Sequence, residues 1–403
     1  MRTLYFDHAS TTPVDNRVRK AMADVPQGNM SSIHSLGRDA AAAADTSREI
    51  LASVIGTDIR SVIFTGSATE ANNMAVRGAF KAFYRSFRSE AMIPPRIIIS
   101  GIEHDSLIHT VADLSEEGAE VIVVPAGRDG LVCAEDVISK IDDRTIFVSV
   151  MAANNETGAI QEVARIGNAV REIREKRNAD MNREFPYPIF HTDAVQYLRY
   201  FPTSLDTLQA DMLTLSAHKI GGPKGIGALV ARNIGKYDIR KTIYPIVTGG
   251  GQEYGMRAGT ENTEAIVGFG LALSIAEKGR EKNFRKVKEV KEIFWDGFKK
   301  AFPRALLNGP IGKGGEKRLS PHILNIWIPG NYSADILMKA DMAGVAISYG
   351  SACGAKSFKP SHVLSAMGLA EKRIKESIRI SFGPENTIAE AREGVKRLKR
   401  ALS

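Results

Sequence analysis

From about residue 40 to residue 230, short runs rich in β-branched residues alternate with longer stretches whose apolar positions recur at helical spacing. The runs lie at Ser61 to Thr65, Arg96 to Ser100, Glu120 to Val124, Thr145 to Val150, Pro188 to His191, Met212 to Leu215 and Gly227 to Val230. Such runs predict strands, and the amphipathic stretches between them predict the crossover helices of βαβ units. Ile97-Ile98-Ile99 and Val121-Ile122-Val123-Val124 are apolar without interruption, which predicts a sheet buried on both faces by helices. The fold expected is α/β, with a mostly parallel sheet in a large domain. After the glycine-rich segment Gly249 to Gly259 the rhythm changes. A long helix over about Thr263 to Phe302, strands near His322 to Ile328 and Ile378 to Phe382, and a last helix predict a smaller α+β domain. A chain of 403 residues exceeds what one core supports. The expected division gives residues 16–260 to the large domain, and residues 1–15 with 261–403 to the small one.

Composition narrows the class. Hydrophobic residues make up 43% and charged residues 25%, as in packed domains, and no apolar stretch approaches the roughly 18 residues of a membrane span. The opening Met-Arg-Thr-Leu-Tyr-Phe-Asp-His lacks the apolar core of a secretory signal, so a cytoplasmic protein is expected. Cys133 and Cys353 are the only cysteines, too few for a disulfide framework or a thiolate-built metal site, and no metal is expected. Cys133 precedes an amphipathic helix and is expected to pack as a small apolar residue. The net charge of +8 is carried along Lys282 to Lys300 and Glu371 to Lys399, where charges alternate with apolar positions at helical spacing. Solvated helix faces explain that pattern better than a nucleic-acid surface, and no direct nucleic-acid partner is expected.

In open α/β sheets ligands bind beyond the carboxyl ends of the strands, so residues just after each strand carry the chemistry. In Thr65-Gly66-Ser67-Ala68-Thr69-Glu70 a strand ends and a helix begins. Such a start is either an ordinary cap or an anion site, where free N–H groups and the Ser67 and Thr69 hydroxyls receive a phosphate. In His191-Thr192-Asp193-Ala194-Val195-Gln196, Asp193 is either a helix cap or the partner of a protonated ring nitrogen, which pyridoxal phosphate needs in order to accept electrons. In Ser216-Ala217-His218-Lys219-Ile220-Gly221-Gly222, a lysine follows an apolar strand and precedes glycines, as expected of an imine-forming amine in a cleft, with Ser216 and His218 as further phosphate donors. In Ser100-Gly101-Ile102-Glu103-His104-Asp105, His104 is either a capping histidine or an imidazole stacked on a planar cofactor and moving protons.

With Leu4-Tyr5-Phe6-Asp7-His8-Ala9-Ser10-Thr11-Thr12-Pro13, Asn154-Asn155-Glu156-Thr157-Gly158, Gly255-Met256-Arg257-Ala258-Gly259-Thr260 and Gly350-Ser351-Ala352-Cys353, these segments resemble cysteine desulfurases of the NifS and IscS type. Those belong to the class V branch of the fold-type I pyridoxal-phosphate enzymes, and the resemblance covers nearly the whole chain. It implies pyridoxal 5'-phosphate as cofactor, with Lys219 as the Schiff-base lysine, Asp193 as the pyridinium partner and His104 as the stacking, proton-transferring histidine. Gln196 resembles the donor to the phenolic oxygen, and Ala68, Thr69, Ser216 and His218 resemble the phosphate cup. Thr260 is similar to the threonine that reaches the phosphate from a second subunit, which implies a homodimer. Asn155 and Arg379 resemble the residues that hold the substrate carboxylate, Asn155 meeting the cofactor as well. A guanidinium on an apolar strand needs an anionic partner, and for Arg379 that is either a substrate carboxylate or an acid of the protein itself. Met30 in Gly28-Asn29-Met30-Ser31-Ser32 departs from the family, which commonly has proline there.

Cys353 decides the reaction. It sits in Tyr349-Gly350-Ser351-Ala352-Cys353-Gly354-Ala355-Lys356-Ser357, among small residues and beside cations that favour thiolate, unlike a buried structural cysteine. The expected activity is removal of sulfur from L-cysteine, giving L-alanine and a persulfide on Cys353. That sulfur then passes to an acceptor protein for iron–sulfur cluster assembly or for tRNA or cofactor thiolation. A selenocysteine lyase or an aminotransferase of the same class is the alternative, the latter having no use for Cys353.

Overall fold

The computed structural model describes residues 2–86, 93–180, 185–234, 238–311, 314–350 and 360–402. Within them the strands are, in chain order, β1 (Leu4–Tyr5), β2 (Val62–Thr65), β3 (Arg96–Ser100), β4 (Glu120–Val124), β5 (Thr145–Ser149), β6 (Ile189–Asp193), β7 (Met212–Ser216), β8 (Gly227–Ala231), β9 (Leu306–Asn308), β10 (Ile323–Trp327), β11 (Val345–Ala346) and β12 (Ser377–Ser381). Seven form one sheet in the order β2-β8-β7-β6-β5-β3-β4. β7, β6, β5, β3 and β4 pair in parallel, while β8 runs antiparallel to both of its neighbours, β7 and β2.

Alternate residues of these strands enter two different cores, as the pleat requires. Ile98, Val148, Phe190, Leu213 and Val230 face a core closed by helices Ser35–Ile55 and Thr263–Ala301. Ile97, Ile99, Phe147, Ile189 and Leu229 face one closed by helices Ala68–Ser86 and Asp105–Glu116. The expectation of full burial fails for Val121 to Val123. β4 is the edge strand, paired along one side only, and Val123 is 53% exposed.

A second, antiparallel sheet, β12-β10-β9, packs with helix Ile388–Leu402 around Phe6, Phe294, Phe298 and Phe382. The 39-residue helix Thr263–Ala301 joins the cores. Its Ala265 to Ala276 pack against the large sheet, and its Val287 to Phe298 against the small one. The expected division at residue 260 therefore falls just before an element that serves both cores. The first fifteen residues also touch both. β1 pairs with β11, whereas Thr12 donates from its backbone N–H and its hydroxyl to the His218 carbonyl, 2.9 Å in each case.

Two further expectations are corrected. Glu371 to Lys399 is not one helical face: helix Glu371–Lys375 gives way to β12, and helix Ile388–Leu402 starts later. Ile378 and Ile380 suit the pleat, Gly383 and Pro384 follow, and Arg379 alternates with them as a buried residue. Cys133 is exposed rather than packed, its Sγ donating to Glu135 Oε2 at 3.3 Å. It precedes helix Ala134–Ile138, whose inward positions are Ala134 and Val137. Among the described residues no helix is long and apolar enough to cross a membrane.

Candidate active site

The carboxyl ends of β2, β3, β6 and β7 open onto a cavity of about 230 Å³. Of the residues singled out in the sequence, Ala68, Thr69, His104, Asn155, Asp193, Gln196, His218, Lys219 and Arg379 line it. Ser216 is buried at the end of β7 and does not reach the lining. Thr260 is exposed and does not line it, and Cys353 lies outside the described residues.

Each segment is presented by a strand end. Lys219 closes the short helical turn Ala217–Lys219 after β7, and its Nζ donates to the carbonyls of Ala9 at 2.6 Å and Ser10 at 2.7 Å. Asp193 ends β6. Its Oδ1 accepts the Val195 N–H at 2.9 Å, the cap-like turn allowed for in the sequence, and its Oδ2 accepts from Asn72 Nδ2 at 3.0 Å. Helix Ala68–Ser86 starts at the cavity with Ser67 Oγ accepting the Glu70 N–H at 3.2 Å. β8 passes directly beneath this turn. A Cβ on Gly227 would stand 2.6 Å from Ser67 C and 2.7 Å from Ala68 N, so glycine is what permits the approach. His104 caps the next helix, its Nδ1 accepting the Ser106 N–H at 3.1 Å. Capping and lining the cavity are thus compatible for this side chain.

The electrostatics favour neutral imidazoles. Burial lowers the pKa of His104, against the pull of Asp193 and Asp105. Burial, with Lys219 and Lys224 adding to it, brings His218 down to about 3. Arg379, 1% exposed on β12, spreads its fork over the Asn155 carbonyl (3.0 Å), Asp7 Oδ1 (2.9 Å) and Ser10 Oγ (2.6 Å). The guanidinium therefore has a protein acid beside it, one of the two partners expected from the sequence, while it lines the cavity.

Several residues of the site were not singled out. Glu103 is fully buried and pushed up to about 8 by desolvation and by Asp193, against the opposing bond from Ser100. Its Oε1 accepts from Ser100 Oγ (2.6 Å) and the Met151 N–H (2.8 Å). Gln196 donates through Nε2 to the Ala9 carbonyl at 2.9 Å, so its Oε1, 3.1 Å from His322 Nε2, must face a donor. His322 is thereby held as the Nε2–H tautomer, with Ser320 Oγ at its Nδ1. Glu70 takes the Gly66 N–H at 2.8 Å and is paired with Arg257 Nε at 2.8 Å. For Asn72 a signal existed: an amide at helical spacing with Ala68, Ala71, Ala75 and Ala79 is a polar residue on an apolar face. Nothing local marked His322.

The donor set suits pyridoxal phosphate. It offers an amine for an aldehyde, a buried carboxylate for a ring N–H, and a helix start with hydroxyls for a phosphate. Asn155 Oδ1 and Arg379 Nε, both buried, have no hydrogen-bond partner among the described residues, as expected where a ligand completes the site.

Comparison with known proteins agrees with this geometry. A family model for class-V aminotransferases matches residues 4–394. A putative cysteine desulfurase IscS 1 of Bacillus subtilis (strain 168) is 37% identical over 402 residues, covering 98% of this chain and 97% of that protein. The cysteine desulfurase IscS of Dictyoglomus turgidum is 36% identical over 386 residues, covering 95% and 90%. Among solved structures, a NifS-like protein superposes with a TM-score of 0.86 at 30% identity over 99% of each chain.

Proposed function

Because the chain belongs to the class-V aminotransferase family, whose members depend in general on pyridoxal phosphate, we propose that it is a cysteine desulfurase acting through Cys353. The observation that carries this reading is the meeting of Lys219, Asp193, His104 and Arg379 in one cavity beside a helix start. When bound, the cofactor supplies an electron sink conjugated with the substrate α-carbon. Lys219 would hold its aldehyde end, Asp193 its ring N–H, and Ala68, Thr69 and His218 its phosphate, with Gln196 donating to the ring oxygen. Arg379 and Asn155 would orient the substrate carboxylate, the guanidinium supplying the charge that attracts it.

In the overall reaction the C–S bond of L-cysteine breaks, an S–S bond forms to the Cys353 thiolate, and the thiol proton ends on the methyl group of L-alanine. Gly350 and Ser361 both approach Glu156, the neighbour of the cavity-lining Asn155. A Cβ on Gly350 would lie 3.6 Å from Glu156 Oε2, and Ser361 Oγ donates to that same oxygen at 2.5 Å, next to Asn155. The exposure of Thr260 supports its service to a second subunit and hence a homodimer. A cytoplasmic enzyme with a cofactor-binding domain over residues 16–260 and a small domain over 1–15 and 261–403, passing sulfur to an acceptor protein, completes the proposal.

Borohydride reduction of the pyridoxal-phosphate-loaded protein should label the peptide containing Lys219, and Cys353→Ser should abolish sulfide release while the visible absorption persists. A label on another lysine, or full sulfide release from Cys353→Ser, refutes the reading.

A further inference from the structure

One amide nitrogen connects the two ionisable groups at the floor of the cavity. Asn72, 1% exposed, donates through Nδ2 to Asp193 Oδ2 at 3.0 Å and to Ser106 Oγ at 2.9 Å. These are the two hydrogens of a single –NH₂ group. Because the Ser106 hydroxyl accepts from Asn72, its own hydrogen is available to His104 Nδ1, 2.9 Å away. That ring nitrogen also receives the Ser106 backbone N–H at 3.1 Å. A nitrogen facing two donors cannot carry a proton of its own, so the proton of His104 sits on Nε2.

We propose that Asn72 is a positioning residue that ties Asp193 to His104, its one amide aligning the carboxylate and, through Ser106, locking the imidazole as the neutral Nε2–H tautomer. His104 then enters the reaction as a fixed hydrogen-bond donor rather than as a resting base, since an Nε2 lone pair would require a proton on Nδ1. The charged groups around it do not alter this. Asp193 and Asp105 favour protonation, while desolvation, the largest effect, acts with Lys219 and His362 against it and leaves the pKa lowered. The inference rests on the cofactor reading above only in giving Asp193 a ring nitrogen to hold.

Long-range proton–nitrogen NMR on histidine-labelled full-length protein, with His104 identified by its loss in His104→Gln, tests the tautomer without cofactor or turnover. In the unsubstituted protein His104 should show an unprotonated Nδ1 and remain neutral at about pH 6.5, where a free imidazole is half protonated. Ser106→Ala keeps the backbone donor and removes the hydroxyl: the midpoint of His104 should rise while pyridoxal phosphate affinity stays about the same. Asn72→Ala should raise that midpoint too and, by loosening Asp193, weaken pyridoxal phosphate binding by about threefold to tenfold. Circular dichroism confirms that each variant is folded. A proton on Nδ1 in the unsubstituted protein overturns the proposal, as does a folded Asn72→Ala with unchanged His104 titration and unchanged affinity. Borohydride labelling away from Lys219 would instead refute the cofactor reading, leaving the tautomer result standing.

Discussion

Glu103 offers a prediction in which charge, burial and pH can be separated by one substitution. The carboxyl is fully buried beside Asp193, and its pKa rises from 4.5 to about 8. A carboxyl whose folded pKa is raised binds more protons in the native state than in the unfolded one. Its burial therefore becomes destabilising as pH climbs from about 4.5 to about 8, and the loss levels off above that. Each pH unit crossed in this window costs about 1.4 kcal/mol, which comes to roughly 4 kcal/mol at pH 7.5 and under about 1 kcal/mol at pH 5. Glu103→Gln keeps the acceptor for the Ser100 hydroxyl and the Met151 N–H while removing the ionisation. The variant should gain on the native chain by about 3 kcal/mol between pH 5 and pH 7.5, because all other titrating groups are common to both. With an unfolding entropy of about 850 cal/mol/K for 403 residues, that is an upward shift of roughly 3 to 4 °C in relative thermal midpoint. Thermal denaturation of both proteins at half-unit pH steps measures it. Parallel midpoint curves from pH 5 to pH 8.5 would refute the assignment of a protonated Glu103.

Three other outcomes follow from particular contacts. Arg48 and Glu253 are paired in the interior (2.7 and 2.9 Å), with Glu253 also taking the Phe64 N–H. Arg48→Met strands that carboxylate and should cost about 3 to 5 kcal/mol, a fall of roughly 4 to 6 °C in thermal midpoint; a loss of under about 1 °C would contradict it. Gly227→Ala drives a methyl group into the Ser67–Ala68 turn and should weaken inorganic phosphate and pyridoxal phosphate binding together, read by calorimetric titration. Loss of stability with unchanged affinity would show that the turn does not hold the anion. His322→Leu leaves Gln196 Oε1 without its donor and should cost about 1 to 3 kcal/mol, whereas His322→Gln, which retains an N–H, should recover part of it in urea denaturation.

Much of the large sheet was legible because its signal is local. The uninterrupted branched runs at Arg96 to Ser100 and Met212 to Leu215 reappear as β3 and β7 within a residue, and the helix over about Thr263 to Phe302 ends one residue earlier. Where neighbours in space matter, local reading failed. β4 is as rich in β-branched residues as β3 but lies at the edge, and the charged stretch from Glu371 to Lys399 supports two local readings, a helical face and a strand near Ile378, of which the pairing of β12 with β10 keeps the strand. Cys133 reads as a packed residue until the short helix after it turns its inward face elsewhere.

By itself the sequence determined which side chains stand at strand ends, since strand, turn and helix start are encoded within a few residues of Asp193, Lys219, His104 and Ala68. The tertiary structure alone decided how those side chains constrain one another. Asn72 meets Asp193 across 121 residues, Gln196 meets His322 across 126, and Arg379 meets Asp7 across 372. The physical reason lies in the reach of the interactions. Hydrophobic periodicity and capping act over one or two turns, whereas hydrogen-bond partners and desolvation depend on what the topology brings within about 3 Å.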